Sequence, residues 1–368
     1  MVNTKRIGYI DAAKGIGILM IMFGHMNTLS NPVASFMSTF KITIFYLITG
    51  FLVYLKSGYN IDLCKEDYVN IIKKKALALG FPYLFFSVLA IVLNVFFYIV
   101  TKQNTIARTL DDVYSIVSLR GISTLWFLPT LFLGELILYL HISKSVSHKT
   151  YYIEMISLPI VMVLTEFLYH SFLENSNLAH WTEILICYPL LTIIKSISAY
   201  WFIIVGYLLF PKIKDKINII SIIVGLVIVI FISCINTNVD FNMFSLGRFG
   251  VCFFIAGALG SIISICFLEK LYENEASTKL LSSLEYIGRN SLFLMATHLP
   301  LYISTVILYV FNKIFETGTL SYIYYMRWIV MCMILLTVEL IGLFIWQQIK
   351  ESEFMQKSKF GRLLVKYL

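Results

Sequence analysis

Apolar runs long enough to cross a bilayer recur from one end of this chain to the other, and that recurrence limits what it can fold into. A hydrocarbon core about 30 Å thick takes roughly 20 helical residues to cross, because a helix rises about 1.5 Å per residue. Such runs fall near residues 8–29, 36–55, 77–100, 125–141, 151–170, 197–210, 217–236, 247–268, 291–312 and 324–346. Only 14% of the residues are charged and 59% are hydrophobic, whereas a soluble domain carries about a quarter charged residues. The chain therefore reads as an all-α integral membrane protein, a bundle of about ten transmembrane helices.

Charge sets the expected orientation. Placing the N-terminus in the cytoplasm puts most of the 29 basic residues on that side; Lys41, Lys102, Arg108, Arg120, Lys195, Arg248, Lys313 and Arg327 fall elsewhere. Cytoplasmic loops carry an excess of Lys and Arg, so the pattern supports ten spans with both termini cytoplasmic. The net charge of +8 is then a topology signal, and without basic clusters interleaved with exposed aromatics no nucleic-acid partner is expected. Segment 181–196 is also apolar, yet a separate span there would place Lys212, Lys214 and Lys216 outside. It is expected to lie on, or dip into, the outer face.

One polytopic membrane domain, 1–350, and a short basic amphipathic cytoplasmic tail, 351–368, account for the chain. In the tail, basic residues alternate with Phe354, Phe360, Leu363, Leu364 and Leu368, a pattern suited to an anionic leaflet. The first apolar run follows Lys5 and Arg6 as a signal peptide would, but continues past His25 without a convincing cleavage site, so it is expected to be retained. Six cysteines are scattered without C-x-x-C spacing, so no metal is expected.

Ionisable residues inside spans cost at least a few kcal/mol on insertion scales, so each calls for a partner, a wet cavity or a task. The first run holds Asp11, Lys14 and His25. At 100° per residue, Lys14 and His25 lie about 20° apart around the helix and about 16 Å apart along it. They are expected to line one groove, with a charged mouth below a deep imidazole. Neutral imidazole suits a general base for a hydroxyl, or a nucleophile that carries an acyl group. Equally, His25 could bridge helices while Asp11 and Lys14 pair with each other.

Lys73, Lys74 and Lys75 open the third run, where they could meet a polyphosphate or act only as a topology determinant. Further in, His298 and Glu339 stand at comparable depths and could pair, while Glu135, Glu166, Lys41 and Arg248 are other charges within apolar runs. Trp126, in Trp126-Phe127-Leu128-Pro129, sits where an interfacial aromatic belt would place it anyway.

Taken together, these residues resemble the membrane-bound acyltransferase 3 family, which includes surface-polysaccharide O-acetyltransferases and fucose 4-O-acetylase-like proteins. Arg6, Asp11-Ala12-Ala13-Lys14-Gly15 and His25 are similar to its first-span pattern, D-x-x-R/K-G followed by a histidine. Phe40-Lys41-Ile42-Thr43-Ile44-Phe45 through Gly50 is similar to its F-H-M-P-L-F-F-F-L-S-G segment, with Lys41 and Thr43 where the family has His and Pro. Lys73-Lys74-Lys75 before Phe81-Pro82-Tyr83 resembles the basic lead into the third span, without an additional arginine nearer the proline. Leu125-Trp126-Phe127-Leu128 matches L-W-F-L, and Gly288-Arg289-Asn290-Ser291-Leu292 with His298 and Pro300 resembles the closing G-x-x-S-L and H-x-P element.

The resemblance implies a cytoplasmic acyl-coenzyme A donor, commonly acetyl-CoA, and a hydroxyl acceptor on a glycan or other envelope molecule at the bacterial cytoplasmic membrane. On that basis Arg6, Lys14, Lys73, Lys74 and Lys75 are expected to hold the donor phosphates, with Asp11 ordering the mouth. His25 is expected to be the general base or transient acyl carrier, and Lys41, Trp126, Glu135, Arg248, His298 and Glu339 to support substrate or site. A homo-oligomer is left open. The competing reading is a transporter or flippase using the same buried charges as a solute or proton path.

Overall fold

A computed structural model describes residues 6–26, 31–58, 65–175, 180–273, 278–314 and 321–368. The first helices are α1 (Gly8–His25), α2 (Pro32–Phe40), α3 (Thr43–Ser57), α4 (Lys65–Val100) and α5 (Thr105–Val117). After a 3-10 turn at Ser123–Trp126 come α6 (Phe127–Ser143), α7 (His148–Asn175), α8 (His180–Ile204), α9 (Phe210–Ile213) and α10 (Ile219–Ile235). A two-stranded antiparallel hairpin, β1 (Val239–Asp240) with β2 (Ser245–Leu246), then leads into α11 (Gly250–Glu273). The chain closes with α12 (Thr278–Arg289), α13 (Ser291–Thr297), α14 (Ile303–Ile314), α15 (Ser321–Glu351), α16 (Glu353–Lys357) and α17 (Lys359–Tyr367).

Among the described residues, seven helical segments are long and apolar enough to cross a membrane: Pro32–Lys56, Tyr68–Val100, Ser123–Ser143, His148–Glu174, Ile184–Lys216, Gly250–Glu273 and Tyr324–Glu351. Ile219–Ile235 and Ile303–Ile314 are shorter apolar helices, and the eighteen-residue α1 carries Asp11 and Lys14. The chain is an all-α membrane protein. On α4, Leu84, Val88, Val92, Phe96 and Ile99 are all more than half exposed. Their near i, i+4 spacing makes one outward apolar stripe, the surface that hydrocarbon rather than water accommodates. By contrast α8 runs through the middle of the bundle, with Ala199, Tyr200, Phe202, Ile203 and Ile204 buried.

Three expected spans are shaped differently from simple rods. Segment 181–196 neither lies on a face nor dips into one; it is the first half of α8, which continues through a π-helical turn at Val205–Leu209 into α9. Pro189 inside α8 deprives the carbonyl four residues earlier of its usual N–H partner. The Tyr114 hydroxyl donates to that Leu185 carbonyl at 2.9 Å, so the helix runs on. The run near 36–55 breaks at Lys41 and Ile42 into α2 and α3, and the run near 291–312 breaks at 298–302 into α13 and α14. Pro300 cannot donate within a helix and Tyr302 takes a positive φ of 63°, which together end α13 beside His298. Broken helices at membrane depth are tolerated where protein or a cavity satisfies the freed backbone groups.

The tail does more than offer basic charge. Amphipathic α17 packs on the middle of α4, with Phe360 and Tyr367 each about 6 Å from the Phe81 ring (6.3 and 6.0 Å) and Leu364 buried.

Candidate active site

Two of the cavities among the described residues hold the candidate site residues. A cation-rich cavity of about 610 Å³ lies between α1, α3, α4, α6 and the α12–α13 junction. Arg6, Lys14, Lys56, Lys75 and Arg289 bring positive charge to it, and Asp11 is the acid on its wall. Apolar side chains, among them Ile10, Phe45, Ile48, Leu52 and Leu131, complete the lining.

Close helix packing creates the charge cluster. A Cβ on Gly288 would sit 1.7 Å from the Asp11 carbonyl oxygen, and one on Gly15 would sit 2.3 Å from that of Leu284. Only glycine allows α1 and α12 to touch backbone to backbone here. The contact brings Arg289 Nε to 3.5 Å from Asp11 Oδ2, while Lys14 Nζ lies 3.1 Å from Asp11 Oδ1. Asp11 thus faces two cations at the mouth, and Arg289 is also held by a hydrogen bond from its Nη2 to Glu285 Oε2. Lys75 Nζ lies 2.6 Å from Glu135 Oε1, a nearly fully buried carboxylate on α6. Arg6 and Lys56 make no ion pair among the described residues.

A second cavity, of about 300 Å³, holds His25 and Lys41 together with Trp126, Asp240 and Asn242. It is capped by the hairpin loop, which is anchored by the Leu246 N–H donating to Glu166 Oε1 at 2.7 Å and by Asn236 bonding to both Leu246 and Phe249. Asp240 Oδ1 accepts from the Asn242 and Met243 backbone N–H groups, which fixes the turn. Behind it, the fully buried Lys195 donates to Asn242 O and Oδ1 at 3.3 and 3.4 Å, with its ammonium 4.2 Å from the Trp126 ring centroid. Arg120 Nη1 donates to the same Oδ1 at 2.7 Å.

His25 has a second imidazole for a neighbour. The His298 ring centroid lies 5.4 Å away at 37°, and His298 is fully buried. His298 Nδ1 is 2.7 Å from the Leu294 carbonyl, which can only accept, so Nδ1 carries the proton. Its Nε2 is then a lone pair with no hydrogen-bond partner among the described residues. Lys41 extends across the break between α2 and α3, and its ammonium sits 3.2 Å from where a Cβ on Gly24 would be, next to His25 in sequence.

Several expected arrangements change on folding. Lys14 and His25 do not line one groove: Lys14 faces the cation-rich cavity and His25 the other, and the walls meet at Phe127 and Met295, which line both. Of the lysine triplet only Lys75 reaches a cavity, while Lys73 and Lys74 are exposed. Successive helical residues point 100° apart, so three in a row cannot share a site. No His298–Glu339 pair forms; the neighbouring Thr297 hydroxyl donates to Glu339 Oε2 at 2.6 Å, because α15 approaches that side of α13. Arg248 is exposed, its guanidinium 5.5 Å from the Phe249 ring, and lines neither cavity. Lys56, Arg289, Lys195, Asp240 and Asn242 were not expected at a site. Lys195 carried the usable signal, an ionisable residue within an apolar run.

The fold and its buried charges define a multi-pass membrane protein with two adjoining polar cavities. A family model described as an acyltransferase domain, acyltransferase 3, matches residues 7–347, so the chain belongs to that family and is a membrane acyltransferase. No curated protein and no solved structure matches the chain.

Proposed function

We propose that this protein is an O-acyltransferase, moving an acyl group, most simply acetyl, from cytoplasmic acyl-CoA to a hydroxyl of an envelope glycan. One observation carries the reading: a cation-rich cavity and a histidine cavity abut through a shared two-residue wall. Coenzyme A has anionic phosphates at one end of a long, largely apolar arm and a thioester at the other. Arg6, Lys14, Lys56, Lys75 and Arg289 suit the phosphates, the apolar lining suits the arm, and the thioester would then reach His25.

The chemistry balances with groups present. His25 takes the proton of the acceptor hydroxyl, and the oxygen attacks the thioester carbonyl carbon. Lys41, which lines the same cavity as His25, would stabilise the resulting oxyanion. Collapse breaks the C–S bond, and the departing thiolate takes the proton back from the imidazolium, leaving ester and free coenzyme A. A route with the acyl group carried briefly on His25 uses the same residues. His298, its ring centroid 5.4 Å from that of His25, would back the reaction by packing against the base.

The charge pattern supports the proposed setting: ten spans with both termini cytoplasmic, a membrane domain over 1–350, a tail over 351–368 resting on the inner leaflet, and residence in a bacterial cytoplasmic membrane. Two adjoining cavities among buried charges also suit a transporter. Purified protein in liposomes separates the readings: acetyl-CoA with an extract of envelope glycans should yield free thiol and a new acetyl ester in equal amounts. Glycan flux without thiol release would favour transport instead.

A further inference from the structure

Resting on the acyl-transfer reading, we propose that Phe127 and Met295 form the aperture through which the acyl group passes between the cavities, and that this pair decides how bulky the acyl group can be. They are the two residues, among those described, that line both cavities. Both are nearly fully buried, Phe127 at 7% and Met295 at 4% exposed, so they face the cavities rather than lipid. Any donor whose phosphates stay among the cations must send its thioester between them to reach His25.

The two side chains differ in freedom. Phe127 is wedged by aromatic rings on three sides: Tyr46 at 5.2 Å and 29°, Phe45 at 5.6 Å and 68°, and Trp126 at 6.3 Å and 81°. Tyr46 is itself held by a 3.0 Å hydrogen bond to Thr130. The Met295 backbone is fixed, since the Thr124 hydroxyl donates to its carbonyl at 2.8 Å, tying α13 to the 3-10 turn that precedes Phe127. Its side chain, however, is unbranched with three rotatable bonds. A rigid leaf faces an adjustable one in a fixed frame. A methyl ketone-sized group can pass such a gap by displacing the thioether, whereas branching or a ring at the carbon next to the carbonyl demands a wider opening.

Two measurements test this on the full-length protein in liposomes. In a variant with all six native cysteines replaced by serine, Met295→Cys should react with a membrane-impermeant methanethiosulfonate reagent added to either face. Lys14→Cys should react from one face and Ser38→Cys from the opposite one. Reaction of Cys at 295 from a single face, with both controls behaving, overturns the aperture.

The second measurement is thiol release from acetyl-, isobutyryl- and benzoyl-CoA. Met295→Ala should raise the isobutyryl-to-acetyl ratio about tenfold or more, the equivalent of about 1.4 kcal/mol. Met162→Ala, a buried methionine that lines neither cavity, should not move the ratio. An unchanged ratio in an active Met295→Ala variant overturns the specificity role; if that variant is inactive, Phe127→Leu decides the same question. Two-sided labelling without thiol release from any donor, wild type included, would keep the aperture and remove the acyl-transfer reading.

Discussion

The cation-rich cavity and the histidine cavity are built by opposite means. In the first, charge is dense and matched by acids: Asp11 pairs with Lys14 and faces Arg289, Glu285 binds Arg289, and Glu135 holds Lys75. In the second, ionisable groups are few and lie among uncharged partners: His25 beside His298, and Lys195 beneath Asn242 and Trp126. Paired, partly exposed cations can remain charged and bind an anion through many contacts, none decisive. A sparse, buried site puts its chemistry on one or two groups. Substitutions in the histidine cavity should therefore act on turnover, and those in the cation-rich cavity on donor affinity.

That contrast can be broken in four ways. The largest effect is expected from His25→Ala, which should lower kcat by about 10²–10⁴, the usual worth of a positioned general base; donor binding by isothermal titration should persist. A kcat near wild type in a folded variant would take His25 out of the reaction. Next, Lys41→Met should lower kcat by about 10²–10³, as loss of an oxyanion donor does, with KM for acetyl-CoA little changed. If KM rises instead, Lys41 belongs with the binding cations.

Smaller effects are expected on the other side of the wall. Lys14→Ala and Arg289→Ala should each raise KM for acetyl-CoA about ten- to a hundredfold at similar kcat, given that a hydrogen bond to a charged group contributes about 1.5–3 kcal/mol. Their penalty should shrink in high salt, where charge is screened over a few ångströms; steady-state kinetics at two ionic strengths reads both. The smallest effects belong to Lys73→Ala and Lys74→Ala, which should leave KM within assay scatter, because both side chains are exposed away from the cavity. A KM increase matching that of Lys14→Ala would return the triplet to the donor site.

How much of this could be read from the sequence follows from the same contrast. Asp11, Lys14 and His25 were legible because an ionisable residue in an apolar run is expensive and must have a use, and Arg6 entered through the family's first-span pattern. Six of the seven long apolar segments were equally legible from run length, whereas Ile184–Lys216 was expected to begin only near residue 197. Lys73 and Lys74 were misplaced because adjacency in sequence is not adjacency in space on a helix. Arg289 looked like a topology charge, and only the Gly15–Gly288 contact between α1 and α12 turns it toward Asp11. The cap over the histidine cavity was beyond reach, since it depends on α8 running on past Pro189 and on a hairpin loop folding back over Lys195. Likewise the choice of Thr297 over His298 as the partner of Glu339 rests on how α15 crosses α13.

We further propose that the donor enters the Lys14 cavity and the acceptor enters the His25 cavity from the opposite face, and sided transfer tests this most directly. Wild-type protein is reconstituted in one orientation, acetyl-CoA labelled in the acetyl group is supplied only on the face of the Lys14 cavity, and glycan extract only on the other. Labelled ester should accumulate on the glycan, and should fail to do so in His25→Ala. Ester formed only when donor and glycan share a face, or formed equally by His25→Ala, would contradict it.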